Sequence, residues 1–99
     1  MENDLYEYIV KTGTAEPKIE KIVVFGSRAR GDHHEKSDYD IAVFGMFSDE
    51  EKAKIEYALK YDSPILNKID VVFFHGCKNE RLKQNILREG KTVYDKNEN

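Results

Sequence analysis

The stretch VFGSRARGDHHEKSDYDIAVF, residues 24–44, decides how the rest of the chain is read. Two apolar runs, Val23-Val24-Phe25 and Ile41-Ala42-Val43-Phe44, bracket a polar segment that begins Gly26-Ser27 and ends Asp38-Tyr39-Asp40. Runs of this length, rich in β-branched and aromatic residues and bounded by turn residues, are strands. The second is expected to span about 38–44, so it carries two carboxylates into its own start. Side chains alternate along a strand, which turns Asp38 and Asp40 toward one side about 7 Å apart and sends Tyr39 and Ile41 to the other.

Working outward, Leu5, Tyr8 and Ile9 stand at helical spacing in a short first helix over about 2–11, with Thr12-Gly13 as its stop. KIEKIVVFG supplies the first strand. Ser48 is a good N-cap for SDEEKAKIEYALKY, whose acidic first turn suits the helix dipole and whose Ile55, Ala58 and Leu59 make an apolar stripe. KIDVVFFHG is a third strand. NERLKQNILREG is a helix with Leu82, Ile86 and Leu87 inward and Gly90 as C-cap, and KTVYD adds a short last strand. Strands and helices alternate without repeat or linker, so the class is α/β (α+β): one domain over 1–99, a small mixed sheet of three to four strands flanked by helices. Only the tail DKNEN, 95–99, is expected to be disordered.

The acidic pair gains a third member if the strand near Asp70 lies beside that of Asp40, because neighbouring strands are about 4.8 Å apart. Asp70 is followed at once by Val71-Val72-Phe73-Phe74 and so stands at the mouth of an apolar strand. Carboxylates crowded to about 4 Å repel by roughly 4 kcal/mol per pair at an effective dielectric near 20. Protonation or a divalent cation offsets this, and hard oxygen donors without His or Cys select Mg²⁺ or Mn²⁺ over zinc. Magnesium leaves part of its coordination to water and substrate phosphates.

Gly26-Ser27 stands where a phosphate can be held. A short helix or nest that starts at Ser27 aims backbone N–H groups and a hydroxyl at an anion, and Gly26 allows close approach. Arg28 or Arg30 can add charge-assisted bonds, with Arg28 counted among the nucleotide-binding candidates. There is no P-loop ending and no G-x-G-x-x-G fingerprint. A phosphate cradle beside metal-binding carboxylates implies phosphoryl or nucleotidyl transfer, in which two ions hold the attacking and leaving oxygens.

Gly26-Ser27, ten residues, Asp38-x-Asp40 and a later Asp70 opening a hydrophobic strand resemble the minimal nucleotidyltransferases of the DNA polymerase beta superfamily. The similarity is greatest to the antitoxins of HEPN-MNT toxin-antitoxin pairs, and covers nearly the whole chain. It implies an antitoxin of a type VII-like system: an ATP- and Mg²⁺-dependent enzyme, with two ions, that transfers AMP to a tyrosine of a HEPN ribonuclease toxin and silences it. By the same resemblance Gly26 and Ser27 hold the triphosphate, and Asp38, Asp40 and Asp70 are the catalytic metal ligands. The chain is too short for a separate acceptor-binding domain, so the partner itself has to supply most of the acceptor contacts. Two alternatives stand beside this reading: a binding module that inhibits its partner by occlusion, and a nucleotidyltransferase acting on another acceptor.

Composition limits the other classes. The 99 residues carry 19 acidic and 16 basic side chains, mixed along the chain to a net charge of −3, so no basic face for direct nucleic-acid binding is expected. No apolar run approaches the roughly 18 residues of a membrane span and the N-terminus has no basic, then apolar, leader, which sets the expectation of a cytoplasmic protein. The single cysteine, Cys77, fits a reducing compartment. Arg28 and His33 mimic the Arg-x-x-x-x-His signature of HEPN ribonucleases, but fall in a strand-loop connection where that all-helical motif has no place. Tyr6, Tyr8, Phe47, Tyr57 and Tyr61 read as core or partner-packing residues.

Overall fold

A computed structural model describes residues 2–98. Helix α1 (Glu2–Ala15) leads into strand β1 (Lys21–Phe25), a single turn of helix α2 (Ser27–Arg30), β2 (Tyr39–Phe44), α3 (Asp49–Tyr61), β3 (Ile69–Phe73), α4 (Glu80–Glu89) and β4 (Lys91–Asp95). The four strands form one sheet in the order β3-β2-β1-β4. β1 runs antiparallel to both β2 and β4, whereas β2 and β3 are parallel and are joined through the crossover helix α3.

The period of two along the strands sorts the core into two layers. Ile22, Val24, Tyr39, Ile41, Val43 and Ile69 face α1 and α3, where they pack with Leu5, Ile9, Ile55 and Leu59. Val23, Phe25, Ala42 and Phe44 face the other way, onto Phe74 and Ile86, with Val72 and Leu82 at the margin. Each fully buried large apolar side chain contributes about 1.5–3 kcal/mol relative to exposure. β1 and β2 are the central, most buried strands, and Asp40 projects from the end of β2 beside Asp70 on the edge strand β3.

Several boundaries differ from the sequence-based expectations. Thr12-Gly13 does not stop α1. The Thr12 and Thr14 hydroxyls donate to the carbonyls of Tyr8 and Val10 at 2.9 and 2.8 Å, keeping their polar groups within the helix, and Gly13 carries the helix against the ring of Tyr94, where a Cβ would clash. Leu87, expected inward, is 66% exposed, because the buried face of α4 passes through Leu82 and Ile86. Gly90 is the C-cap of α4 as expected, in extended geometry, its N–H donating to the Ile86 carbonyl. At the C-terminus Asp95 pairs with Lys21 in β4 and Lys96–Glu98 form a 3-10 turn; Asn99 lies outside the described residues. Tyr57 and Tyr61 lie on the exposed face of α3, whereas Tyr6 and Phe47 pack against the core. No helix among the described residues is long and apolar enough to cross a membrane.

Candidate nucleotide and metal site

The site is built at the end of the sheet where β1 finishes and β2 and β3 begin. The antiparallel register sets Phe25 opposite Asp40, and the parallel register sets Asp70 opposite Asp40 from the other side. Facing residues of neighbouring strands project from the same face, so both carboxylates stand on the α4 side, at the end of the row Asp40, Ala42, Phe44. Asp38 falls just before β2 rather than inside it and is exposed. Among the described residues no three His, Cys, Asp or Glu side chains close on a common point as a metal cluster. Register thus brings Asp40 and Asp70 together, while Asp38 stands nearby without closing the ring.

Their charges nonetheless act on one another. Asp40 is half-buried, and its carboxyl is pushed above the ordinary aspartate value first by burial, then by the charge of Asp70 and then by that of Asp38, with Arg30 pulling partly back. Asp70 has Lys68 Nζ at 3.7 Å from its Oδ1. The raised Asp40 carboxyl reflects its burial first and the neighbouring Asp70 and Asp38 charges second. Magnesium commonly takes only one or two protein carboxylates and completes its shell with water and phosphate, so an all-oxygen set with two carboxylates in register fits such an ion.

Opposite the acids, Gly26 takes φ 75°, ψ −153° as the chain leaves β1. Two constraints meet there. The positive φ disfavours any residue with a side chain, and a Cβ would overlap Oδ2 of Asp40. The Gly26 carbonyl accepts from the N–H groups of Ala29 and Arg30 at 3.0 Å each, so the backbone turns at once into α2, leaving the first amides of that turn without an intrahelical acceptor.

Phe25, Gly26, Ser27, Arg30 and Asp40 form one wall of a pocket of about 370 Å³ whose other wall is Leu82, Asn85 and Glu89 of α4. A larger groove of about 550 Å³ lies between α1 and β4, lined by Tyr6, Glu7, Val10, Lys91, Thr92 and Val93. It is mainly apolar, and none of Asp38, Asp40 and Asp70 lines it. The smaller pocket is the candidate site because glycine turn, hydroxyl and carboxylate converge there.

The two arginines separate. Arg28, the sequence-based candidate for the nucleotide, points elsewhere: its guanidinium lies over the Tyr39 ring at 4.2 Å and donates to the carbonyls of Glu35 and Ser37. Arg30 lines the pocket, held by Asp32 at 3.0 Å and by Glu89 at 2.8 Å. In so short a helical turn, residues two apart face opposite ways, but the sequence does not say which one faces the site. On the α4 wall Leu82 faces inward as the sequence indicates, whereas Asn85 and Glu89 join it without a motif of their own, spaced by three and four on one helix face.

The chain matches the model of the family described as "Polymerase beta, Nucleotidyltransferase" over residues 7–99. A Methanocaldococcus jannaschii protein named "Putative protein adenylyltransferase MJ0604" is 33% identical over 86 residues, covering 78% of this chain and 80% of that protein. Protein adenylyltransferase MntA of Shewanella oneidensis is 32% identical over 78 residues, covering 79% of this chain but only 55% of the longer relative. Among solved structures, a variant of the toxin-antitoxin MntA-HpeT superposes with a TM-score of 0.71 at 28% identity, covering 93% of this chain and 73% of that one.

Proposed function

The chain belongs to the polymerase beta nucleotidyltransferase family, and from that premise we propose that it is an antitoxin that transfers AMP from ATP to a tyrosine hydroxyl of a HEPN ribonuclease toxin. The observation that carries this reading is Asp40 held between Asp70 and Gly26, at the mouth of a pocket that Ser27 and Arg30 also line. Relatives named as protein adenylyltransferases and a similar chain in a toxin-antitoxin structure support the acceptor class.

In this mechanism Asp40 and Asp70, with Asp38 beside them, would hold magnesium, and a bound ion would supply positive charge for the phosphates and the leaving pyrophosphate. Gly26 and Ser27 bind the triphosphate through backbone N–H and hydroxyl donors, and Arg30 adds charge from the same wall. The tyrosine oxygen attacks the α-phosphorus, the bond from that phosphorus to the bridging oxygen breaks, and pyrophosphate departs. The hydroxyl proton passes to the Asp70 carboxylate and then to solvent. An arrangement built for orientation and charge is what such transfers require, since little covalent chemistry falls to the protein.

The test is the mass of a HEPN toxin co-expressed with this chain. One or more added AMP masses, absent with Asp38→Ala or Asp40→Ala, is the expected result. An unmodified toxin that those variants still inhibit overturns the transferase reading in favour of occlusion.

A further inference from the structure

Arg28 is the one charged residue buried among the described residues, 9% exposed. Its Nη2 donates to the carbonyls of Glu35 at 3.1 Å and Ser37 at 2.9 Å, its guanidinium stacks on Tyr39, and its Nε has no hydrogen-bond partner. Asn67, from the loop before β3, reaches the same two carbonyls: Nδ2 donates to Glu35 at 2.9 Å and to Ser37 at 3.2 Å. The next residue, Lys68, accepts the N–H of Tyr39 at 2.9 Å. Asp38 is therefore flanked by a gripped carbonyl on one side and a gripped amide on the other, although it is itself exposed.

Fold stability alone does not ask for this arrangement. A buried guanidinium gives up much of its hydration, and neutral carbonyls return only part of it. The two carbonyls would still have Asn67 as a donor. What the arrangement supplies is geometry, because residues 67 and 68 run straight into Asp70, so one set of bonds ties the Asp38 segment to the strand of Asp70.

We infer that Arg28 and Asn67 form a two-armed clamp that fixes Asp38 relative to Asp70, and are positioning residues for the metal–nucleotide site. The inference rests on the transferase reading given above. Neither residue touches the pocket; both act through the backbone on either side of Asp38. Outer partners that orient metal ligands commonly govern affinity about ten- to a hundredfold when removed.

The test compares the full chain with Arg28→Met and Asn67→Ala by melting temperature, by hydrogen exchange of the amides around 35–39, and by Mn²⁺ affinity from electron paramagnetic resonance with a non-hydrolysable ATP analogue. Expected are a melting temperature close to wild type, faster exchange in that segment, and Mn²⁺ binding weakened by about tenfold or more in each variant. A purely structural role would lower the melting temperature and leave the Mn²⁺ affinity of the folded protein unchanged, which overturns the clamp. If Arg28→Met fails to fold, Asn67→Ala decides alone: wild-type exchange or wild-type Mn²⁺ affinity in it overturns the inference. A wild-type chain that binds no Mn²⁺ defeats the transferase reading instead, and exchange then judges the clamp by itself, with unchanged rates in both variants overturning it.

Discussion

Asp40 and Asp70 stand directly opposite each other in a parallel pair of strands, so two carboxylates share one end of the sheet by register alone. Burial and that neighbour raise the Asp40 carboxyl above its ordinary value. A carboxyl whose pKa is higher in the folded chain binds more protons folded than unfolded, so its ionisation works against the fold. The penalty is complete above the folded pKa and vanishes below the unfolded value, about pH 4. In metal-free buffer Asp40→Asn should therefore melt higher than wild type at pH 7, with the gap closing as pH falls toward 4. A gap that stays constant over this range would show that Asp40 carries no such burden.

Gly26→Ala should damage the fold and the site together. The positive φ alone costs about 1–3 kcal/mol for a residue with a side chain, and the methyl overlaps the Asp40 carboxylate. Melting temperature and nucleotide binding should both fall. A well-folded variant with wild-type nucleotide affinity contradicts the close approach.

Arg30→Ala separates binding from stability. Its pairs with Asp32 and Glu89 are screened by solvent, so the melting temperature should move little. KM for ATP should rise, because the pocket loses the arginine that lines it. Unchanged KM would remove Arg30 from the phosphate wall.

Away from the site, Ser48 accepts from the N–H of Glu51 at 3.1 Å while Glu51 returns a bond to the Ser48 N–H at 2.7 Å, a complete capping box for α3. Ser48→Ala should lower stability by about 1 kcal/mol, or roughly 4–8 °C in a domain of this size, without changing nucleotide affinity. Chemical denaturation measures the first and calorimetry the second.

The strands were readable because their apolar runs are short, β-branched and bounded by turn residues, and the Asp40–Asp70 neighbourhood followed because each acid opens such a run. The Ser48 cap was readable for the same local reason. What the sequence withheld depends on packing between elements. The length of α1 is set by threonines that bond back within the helix and by the contact of Gly13 with Tyr94. The exchange of roles between Arg28 and Arg30 depends on which side of a four-residue helix meets the sheet. The contribution of Asn85 and Glu89 required knowing that α4 covers the Asp40 face, and Asn67 carries no motif at all.

The most direct measurement is isothermal titration of magnesium with a non-hydrolysable ATP analogue into the wild-type chain and into Asp40→Asn and Asp70→Asn. The account predicts a saturable heat for wild type, magnesium-dependent, that disappears or weakens steeply in both variants. Absence of binding in wild type, or equal binding in all three proteins, would contradict it.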